Sequence, residues 1–159
     1  MRRRDARGFT MIELVVALGI VVILLAILIP RYVALVRHTL ATQAMADLFA
    51  VRAAGYICYA EAGSWPAECS AGVIPKELVQ YLPKAFTFQT REYRLDWENW
   101  RRPDGSARSP RTGILIGVSV VSKDTGFLRD VQNVIANASF RRISKRKATL
   151  EILGISGRL

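Results

Sequence analysis

The stretch GFTMIELVVALGIVVILLAILIP, residues 8–30, decides how this chain is organised. Residues 14–29 contain no polar side chain, and extending this run back to residue 9 adds Thr10 and Glu13 as its polar members. As an α-helix, residues 9–29 would be about 31 Å long, which matches the hydrocarbon thickness of a bilayer. We therefore predict a transmembrane helix. A buried core helix is the weaker alternative, because about 130 further residues are too few to enclose a helix that is apolar on all sides.

The residues before the apolar run set the expected orientation. The leader MRRRDARG, residues 1–8, holds four arginines and one aspartate, and the positive-inside rule keeps such an end in the cytoplasm. A secretory signal peptide would need a small-residue cleavage site directly after the run, but Pro30 and Arg31 stand there. We therefore predict a retained single-pass anchor, with the remainder of the chain exported.

Glu13 is the unusual residue of the apolar run. A carboxylate inside a membrane span costs a few kcal/mol on insertion scales, and such residues tend to have a partner or a function. One alternative is that the carboxylate stays near the membrane interface and needs no partner. The other is that it meets a cation at the same depth. Cleavage before Phe9 would create such a cation, because a second subunit displaced along its axis could bring its new amino group to Glu13.

The sequence GFTMIEL, placed after a short basic leader and before an apolar run that ends at Pro30, resembles the N-terminus of type IV pilins and type II secretion pseudopilins. The resemblance implies that a prepilin peptidase cleaves after Gly8, removes residues 1–8 and methylates the amino group of Phe9. It also implies that Glu13 sets the register between homologous subunits in a helical filament built by an inner-membrane assembly platform. Independently of the family, Pro30 would kink a helix that continues beyond it.

The resemblance names a superfamily and leaves the member open. Major pseudopilins of type II secretion carry an aspartate-rich calcium loop and a proline-tryptophan-glycine motif, neither of which is found in this sequence. Major pilins place their disulfide near the C-terminus, whereas the two cysteines of this chain, Cys58 and Cys69, lie far from it. We therefore expect a minor pilin or minor pseudopilin as readily as a main subunit, anchored in the bacterial inner membrane with a periplasmic or extracellular head. The alternatives are a DNA-uptake pilin and a membrane-anchored binding module that never polymerises.

The sequence after the apolar run predicts an α+β fold. One stripe at helical spacing predicts that the long helix continues to about Ala62 with Cys58 on the same face; the stripe consists of Val33, Val36, Leu40, Ala44, Leu48 and Val51. A second, weaker stripe would be covered by a loop of the head or by a neighbouring subunit; it consists of Met45, Phe49 and Tyr56. Residues 63–159 are expected to form an exported globular head in which a small antiparallel sheet packs on the helix.

Local patterns within the head predict its individual elements. These are a short helix at 75–82, a strand at 86–97, a turn at 103–105, a strand at 113–122, a helix at 128–136 and a strand at 148–153. The basic segment between the last helix and the last strand is predicted as a loop or a protected edge.

Cys58 and Cys69 both lie on the exported side of the membrane, where oxidation is permitted. A disulfide between them would tie the end of the helix to the following loop and would stabilise the head by roughly 3 kcal/mol in the loop-entropy model. The alternative is two buried free thiols. Compartment and spacing favour the disulfide.

The chain is strongly basic, with a formal net charge of +10 that falls to +7 once the leader is removed. Five cations lie within seven residues, at Arg141, Arg142, Lys145, Arg146 and Lys147. Such a patch could capture DNA, contact an acidic neighbour, or be a solvated loop. We expect no nucleic-acid partner, because no aromatic residues alternate with these cations and no recognised nucleic-acid motif is present.

Residue types that support catalysis are scarce. The sequence has no Gly-rich phosphate loop and no metal quartet, and His38 is its single histidine. Asp96 and Glu98 share a strand face, but salt bridges in water to Arg94 or Arg101 would explain them. We therefore expect a structural subunit with no catalytic residues, no bound metal and no cofactor.

Overall fold

The computed structural model describes residues 9–101, 114–135 and 140–154. The chain forms two compact units, Met1–Val36 and Arg37–Leu159. One long helix, α1, runs over Met11–Ala62 and contributes to both. The helix continues through Pro30, so the proline does not end it, and a kink at this position stays a prediction.

The second unit contains the sheet. After α1 come a 3₁₀ helix at Lys76–Tyr81, strand β1 at Arg94–Asn99, strand β2 at Ile114–Val121, helix α2 at Thr125–Ile135, strand β3 at Phe140–Ser144 and strand β4 at Lys147–Gly154. Within the described residues these strands form one antiparallel sheet of four, in the order β1-β2-β4-β3. The second half of α1 packs on this sheet, which confirms the α+β fold expected from the sequence.

The predicted helix stripe forms the α1 side of the core. The buried residues of α1 are Ala41, Ala44, Leu48, Val51, Ala54, Gly55 and Cys58. Val33 and Val36, which the stripe also included, are exposed in this chain. The helix lies close to the sheet at Gly55, where an added Cβ would lie 2.7 Å from Cη2 of Trp97. Glycine at this position therefore lets the Trp97 indole lie directly against the helix backbone.

The strand predicted at 86–97 is shorter in the structure and begins at Arg94. A tight turn interrupts the segment, because Thr90 and Tyr93 bond to each other: the Thr90 backbone NH and Oγ1 both donate to the Tyr93 carbonyl, at 3.0 and 2.7 Å. Phe88 and Tyr93 are nevertheless buried, and their burial produces the alternation that resembles a strand.

The basic segment predicted as a loop or edge is partly a strand. β3 pairs with β4 at the sheet edge, with Arg141 opposite Thr149 and Arg142 opposite Ala148. Charged side chains on an edge strand discourage further strand pairing, so the charge that concealed this strand in the sequence suits its position. The last predicted strand corresponds to β4. The turn predicted at 103–105 lies outside the described residues.

Tyr93, which directly precedes β1, contacts both α1 and α2. Its hydroxyl donates a 2.5 Å hydrogen bond to Oδ2 of Asp47 on α1, and its ring stacks on Phe127 of α2 with centroids 5.5 Å apart. Of the second helix stripe, Tyr56 packs edge-on against Trp65 of the following loop, whereas Phe49 remains 38% exposed. A loop of the head therefore covers part of that stripe, and burial of the rest by a neighbouring subunit stays a prediction.

Candidate functional site

The first turn of α1 is organised by Thr10 and Glu13. Oε2 of Glu13 accepts hydrogen bonds from the Thr10 backbone NH, at 2.9 Å, and from Thr10 Oγ1, at 2.7 Å. The Glu13 backbone NH lies 3.3 Å from Thr10 Oγ1 and donates to it. This reciprocal arrangement is a capping box, which satisfies backbone donors that a helix start leaves unpaired. Glu13 thus has a partner within its own chain.

The sequence contains the signature of this capping box, although the predictions above do not include it. A threonine followed three residues later by glutamate, just before an apolar run, is the usual signature, and Thr10-Met11-Ile12-Glu13 matches it. Phe9, the residue that would carry the new amino group, is 79% exposed. Gly8 and the leader at 1–8 lie outside the described residues, so their processing stays a prediction.

The apolar half of α1 has no protein neighbour in the described chain. Its apolar side chains are about half exposed or more, from 85% at Met11 to 47% at Leu25. Among the described residues, only α1 is both long enough and apolar enough to cross a membrane. No part of its most apolar stretch is buried by the rest of the described chain. So much exposed apolar surface requires burial in lipid or against other chains.

The possible basic patch at residues 141–147 is only partly exposed, because Arg142 and Lys147 are partly buried whereas the other three cations are exposed. Nζ of Lys147 donates a 2.8 Å bond to Oδ2 of Asp96 and also contacts Oε1 of Glu98. Arg141 lies 3.9 Å from Oε2 of Glu151. The remaining cations of the run are Arg142, Lys145 and Arg146. The guanidinium of Arg142 donates to the backbone carbonyls of Ser144 and Lys145.

Asp96 and Glu98 are therefore not paired with Arg94 or Arg101 in water, as the sequence suggested. They lie on β1 at 7% and 2% exposure, and the cation comes from β4, across the intervening strand β2. The sequence carried no signal for this pairing, because Lys147 lies 51 positions from Asp96 and within a run of other cations.

Two hydroxyl groups complete the buried cluster. Ser119 Oγ on β2 donates a 2.9 Å bond to Glu98 Oε1 and lies 2.5 Å from Thr149 Oγ1 on β4. Both hydroxyl residues are fully buried. Three adjacent strands are thus joined by polar side chains on one face of the sheet, and we call Asp96, Glu98, Ser119, Lys147 and Thr149 the ionic cluster.

The ionic cluster is electrostatically unbalanced, since two carboxyl groups face one ammonium. Burial raises the pKa of Asp96, an effect that the hydrogen bond and charge of Lys147 offset in part. Burial lowers the pKa of Lys147, but its bonds to Asp96 and Glu98 outweigh this and leave the pKa raised. Oδ1 of Asp96 has no hydrogen-bond partner among the described residues. The ammonium is therefore essential to keeping these carboxyl groups buried.

Cys58 and Cys69 are free thiols in the structure, so the predicted disulfide between them is not shown. Cys58 is buried in the core face of α1, whereas Sγ of Cys69 donates a 3.0 Å bond to the Val73 carbonyl. Burial raises the pKa of both thiols, to about 11 at Cys69. Because the thiolate is the reactive form, raised pKa values disfavour reaction between them.

Comparison with known proteins identifies the N-terminal region. The family model described as "Prokaryotic N-terminal methylation motif" matches residues 3–29, the prepilin motif of type IV pilins and pseudopilins. No curated protein and no solved structure matches the chain. The motif and the apolar helix behind it support a type IV pilin-like or pseudopilin-like subunit, and together they fit a protein anchored in the inner membrane.

Proposed function

We propose that this chain is a structural, non-catalytic subunit of a type IV pilus-like or type II secretion pseudopilus filament, and more specifically a minor pilin or minor pseudopilin. The observation that carries the proposal is the methylation motif at residues 3–29, followed directly by an apolar helix that has no protein neighbour in the described chain. Before assembly, lipid covers this helix. In the filament, the helices of neighbouring subunits replace the lipid.

The first turn of α1 supports a role for Glu13 in this exchange. Its carboxylate is held by Thr10 in the isolated chain, and the groove beside it is lined by apolar side chains that include Phe9 and Ile12. A carboxylate in such surroundings gains from a cation. The methylated amino group of Phe9 from a neighbouring subunit supplies it and fixes the axial register between the two chains.

Processing by prepilin peptidase is tested by Gly8→Leu. The cut requires a minimal side chain before Phe9, so the variant should keep the leader, whereas the native chain should begin with N-methyl-phenylalanine. Intact-mass and N-terminal measurements distinguish the two forms. Ala6→Leu, which changes the leader but leaves Gly8 in place, is the matched control and should be cleaved. A native protein that still begins at Met1 would overturn the proposal.

Assembly is tested by Glu13→Ala. The substitution removes the carboxylate while making membrane insertion easier, so the protein should stay in the membrane fraction but enter sheared filaments poorly. Glu77→Ala is the control, because Glu77 is an exposed carboxylate of the head. Normal assembly of the Glu13 variant would contradict the register role. A native chain that stays in the membrane and never enters filaments would instead indicate an anchored binding module.

A further inference from the structure

A cleft of about 590 Å³ lies in the head, beside α1, the end of β2 and the turn between β3 and β4. Its described lining contains five exposed cationic side chains: Arg37, Arg91, Arg94, Lys123 and Arg146. These residues come from four separate parts of the sequence. The fold therefore brings Arg146 of the basic run together with four cations that lie far from it in the sequence.

The cations of the cleft form no ion pair with the part of the head that the structure describes. Two carboxylates, Glu92 and Asp124, also line the cleft. Asp124 is already engaged, because its Oδ1 accepts the backbone NH groups of Gly126 and Phe127, at 2.8 and 3.2 Å, and so caps α2. The cleft thus carries an excess of available positive charge.

The cleft is also lined by apolar residues that are less exposed than its cations, and these decide which anion it suits. Leu40 and Val121 contribute aliphatic surface there. Tyr93 and Phe127 are each 3% exposed and stack on one another, so neither ring offers a free face on which a base could stack. The exposed carboxylate of Glu92, which also lines the cleft, would repel a continuous phosphate backbone. A polypeptide carries separate carboxylate and apolar side chains, which match this lining better than nucleic acid does.

We propose that this cleft binds an acidic segment of another protein, with carboxylates against the exposed cations and an apolar side chain against Leu40 and Val121. A second copy of this chain is a poor occupant, because its formal net charge is +10, or +7 without the leader, and like charges oppose such contact. The inference goes beyond the proposed function, since it names an acidic, non-identical partner and does not depend on filament assembly.

The test uses the full-length protein in non-ionic detergent micelles and a fluorescein-labelled peptide of alternating glutamate and leucine. Fluorescence anisotropy should show binding that weakens as salt is raised from about 50 mM to about 300 mM, as expected for exposed charges. Replacing Arg91, Arg94 and Arg146 with glutamine should weaken binding about tenfold, which corresponds to about 1.4 kcal/mol. The matched control replaces the exposed residues Lys76, Lys84 and Arg129 with glutamine; it removes the same charge outside the cleft and should bind as the native protein does.

Three results would overturn the proposal. The first is equal loss of binding in the cleft and control variants, which would indicate a general charge effect. The second is tighter binding, dependent on the cleft arginines, of a single-stranded oligonucleotide with the same charge as the peptide; this would assign the cleft to nucleic acid. The third is absence of salt-sensitive peptide binding to the native protein.

Discussion

Replacing Lys147 with methionine should destabilise the head more than any other loss of a single cation in residues 141–147. Methionine keeps most of the apolar stem of lysine but removes the ammonium that contacts both Asp96 and Glu98. The two carboxyl groups would then be left facing each other at 7% and 2% exposure. The remaining hydrogen bond from Ser119 reaches Glu98 and not Asp96.

The magnitude follows from the cost of breaking a buried ion pair. Removing one partner of such a pair costs about 3–5 kcal/mol, because the other charge stays buried without compensation. The side chain of Lys147 is 25% exposed, so water screens it in part and the lower end, about 3 kcal/mol, is the expected loss. Since small domains are stable by about 5–15 kcal/mol, the variant would retain a reduced but measurable stability.

Urea denaturation of the full-length protein in non-ionic detergent would measure the loss. Tryptophan fluorescence reports unfolding of the head, because Trp97 is fully buried in the folded protein. With an m value of about 1.5 kcal/mol/M, the midpoint should fall by about 2 M. Lys145→Met is the matched control, because Lys145 is exposed in the β3–β4 turn. Its stability should change by no more than about 0.5 kcal/mol.

The loss should also depend on pH. The raised pKa of Asp96 means that burial of its ionised form costs stability at a pH above the folded-state pKa, and that the cost disappears below the unfolded-state pKa, where the carboxyl is protonated in both states. Removing Lys147 raises the folded-state pKa further. The difference in free energy of unfolding between the native protein and the variant should therefore be largest at about pH 7.5 and should shrink towards about pH 4.5.

A second variant separates charge from packing. Adding Asp96→Asn and Glu98→Gln to Lys147→Met removes the uncompensated charges and should recover part of the lost stability. The reasoning would be refuted if Lys147→Met were no worse than Lys145→Met, or if its effect were the same at both pH values.

Three further predictions follow from the head. Gly55→Ala should lower the free energy of unfolding by about 1–3 kcal/mol, because the new Cβ would lie 2.7 Å from Trp97; urea denaturation measures this, and a gain in stability would contradict the close contact. Burial raises the pKa of Glu68 to about 6, so Glu68→Gln should stabilise the head above about pH 6 by less than about 1 kcal/mol, because the side chain is partly solvated, and should have no effect below about pH 4.5; an equal effect at both pH values would exclude this cause. Alkylation of the urea-unfolded protein without reductant, followed by mass measurement, should modify both Cys58 and Cys69, whereas an unmodified protein would demonstrate the disulfide expected from the sequence.

The sequence by itself determined the N-terminal half of this protein, because the properties that matter there are local. A membrane span needs a continuous apolar run and satisfies its backbone within one helix, and the methylation motif is a short contiguous pattern. The helix face towards the head was also readable, since Ala44, Leu48 and Val51 recur at helical spacing and are buried. Even the capping box of Thr10 and Glu13 was present in four consecutive residues.

The tertiary structure alone decided the arrangement of charge and sulfur in the head. Within one basic run, Lys147 is buried against Asp96 while Arg146 lines the cationic cleft, and nothing local to the run distinguishes the two. The contact that each residue makes depends on strand order, which places β2 between β1 and β4. It also depends on where the turn ends, because Arg146 lies in the β3–β4 turn whereas Lys147 is the first residue of β4. For the two thiols, the spacing in the sequence and the exported location favour a disulfide. In the structure both are free, because their separation is set by the positions of the helix and of the loop that follows it. Contacts between distant parts of a chain are set by packing, which a local pattern does not encode.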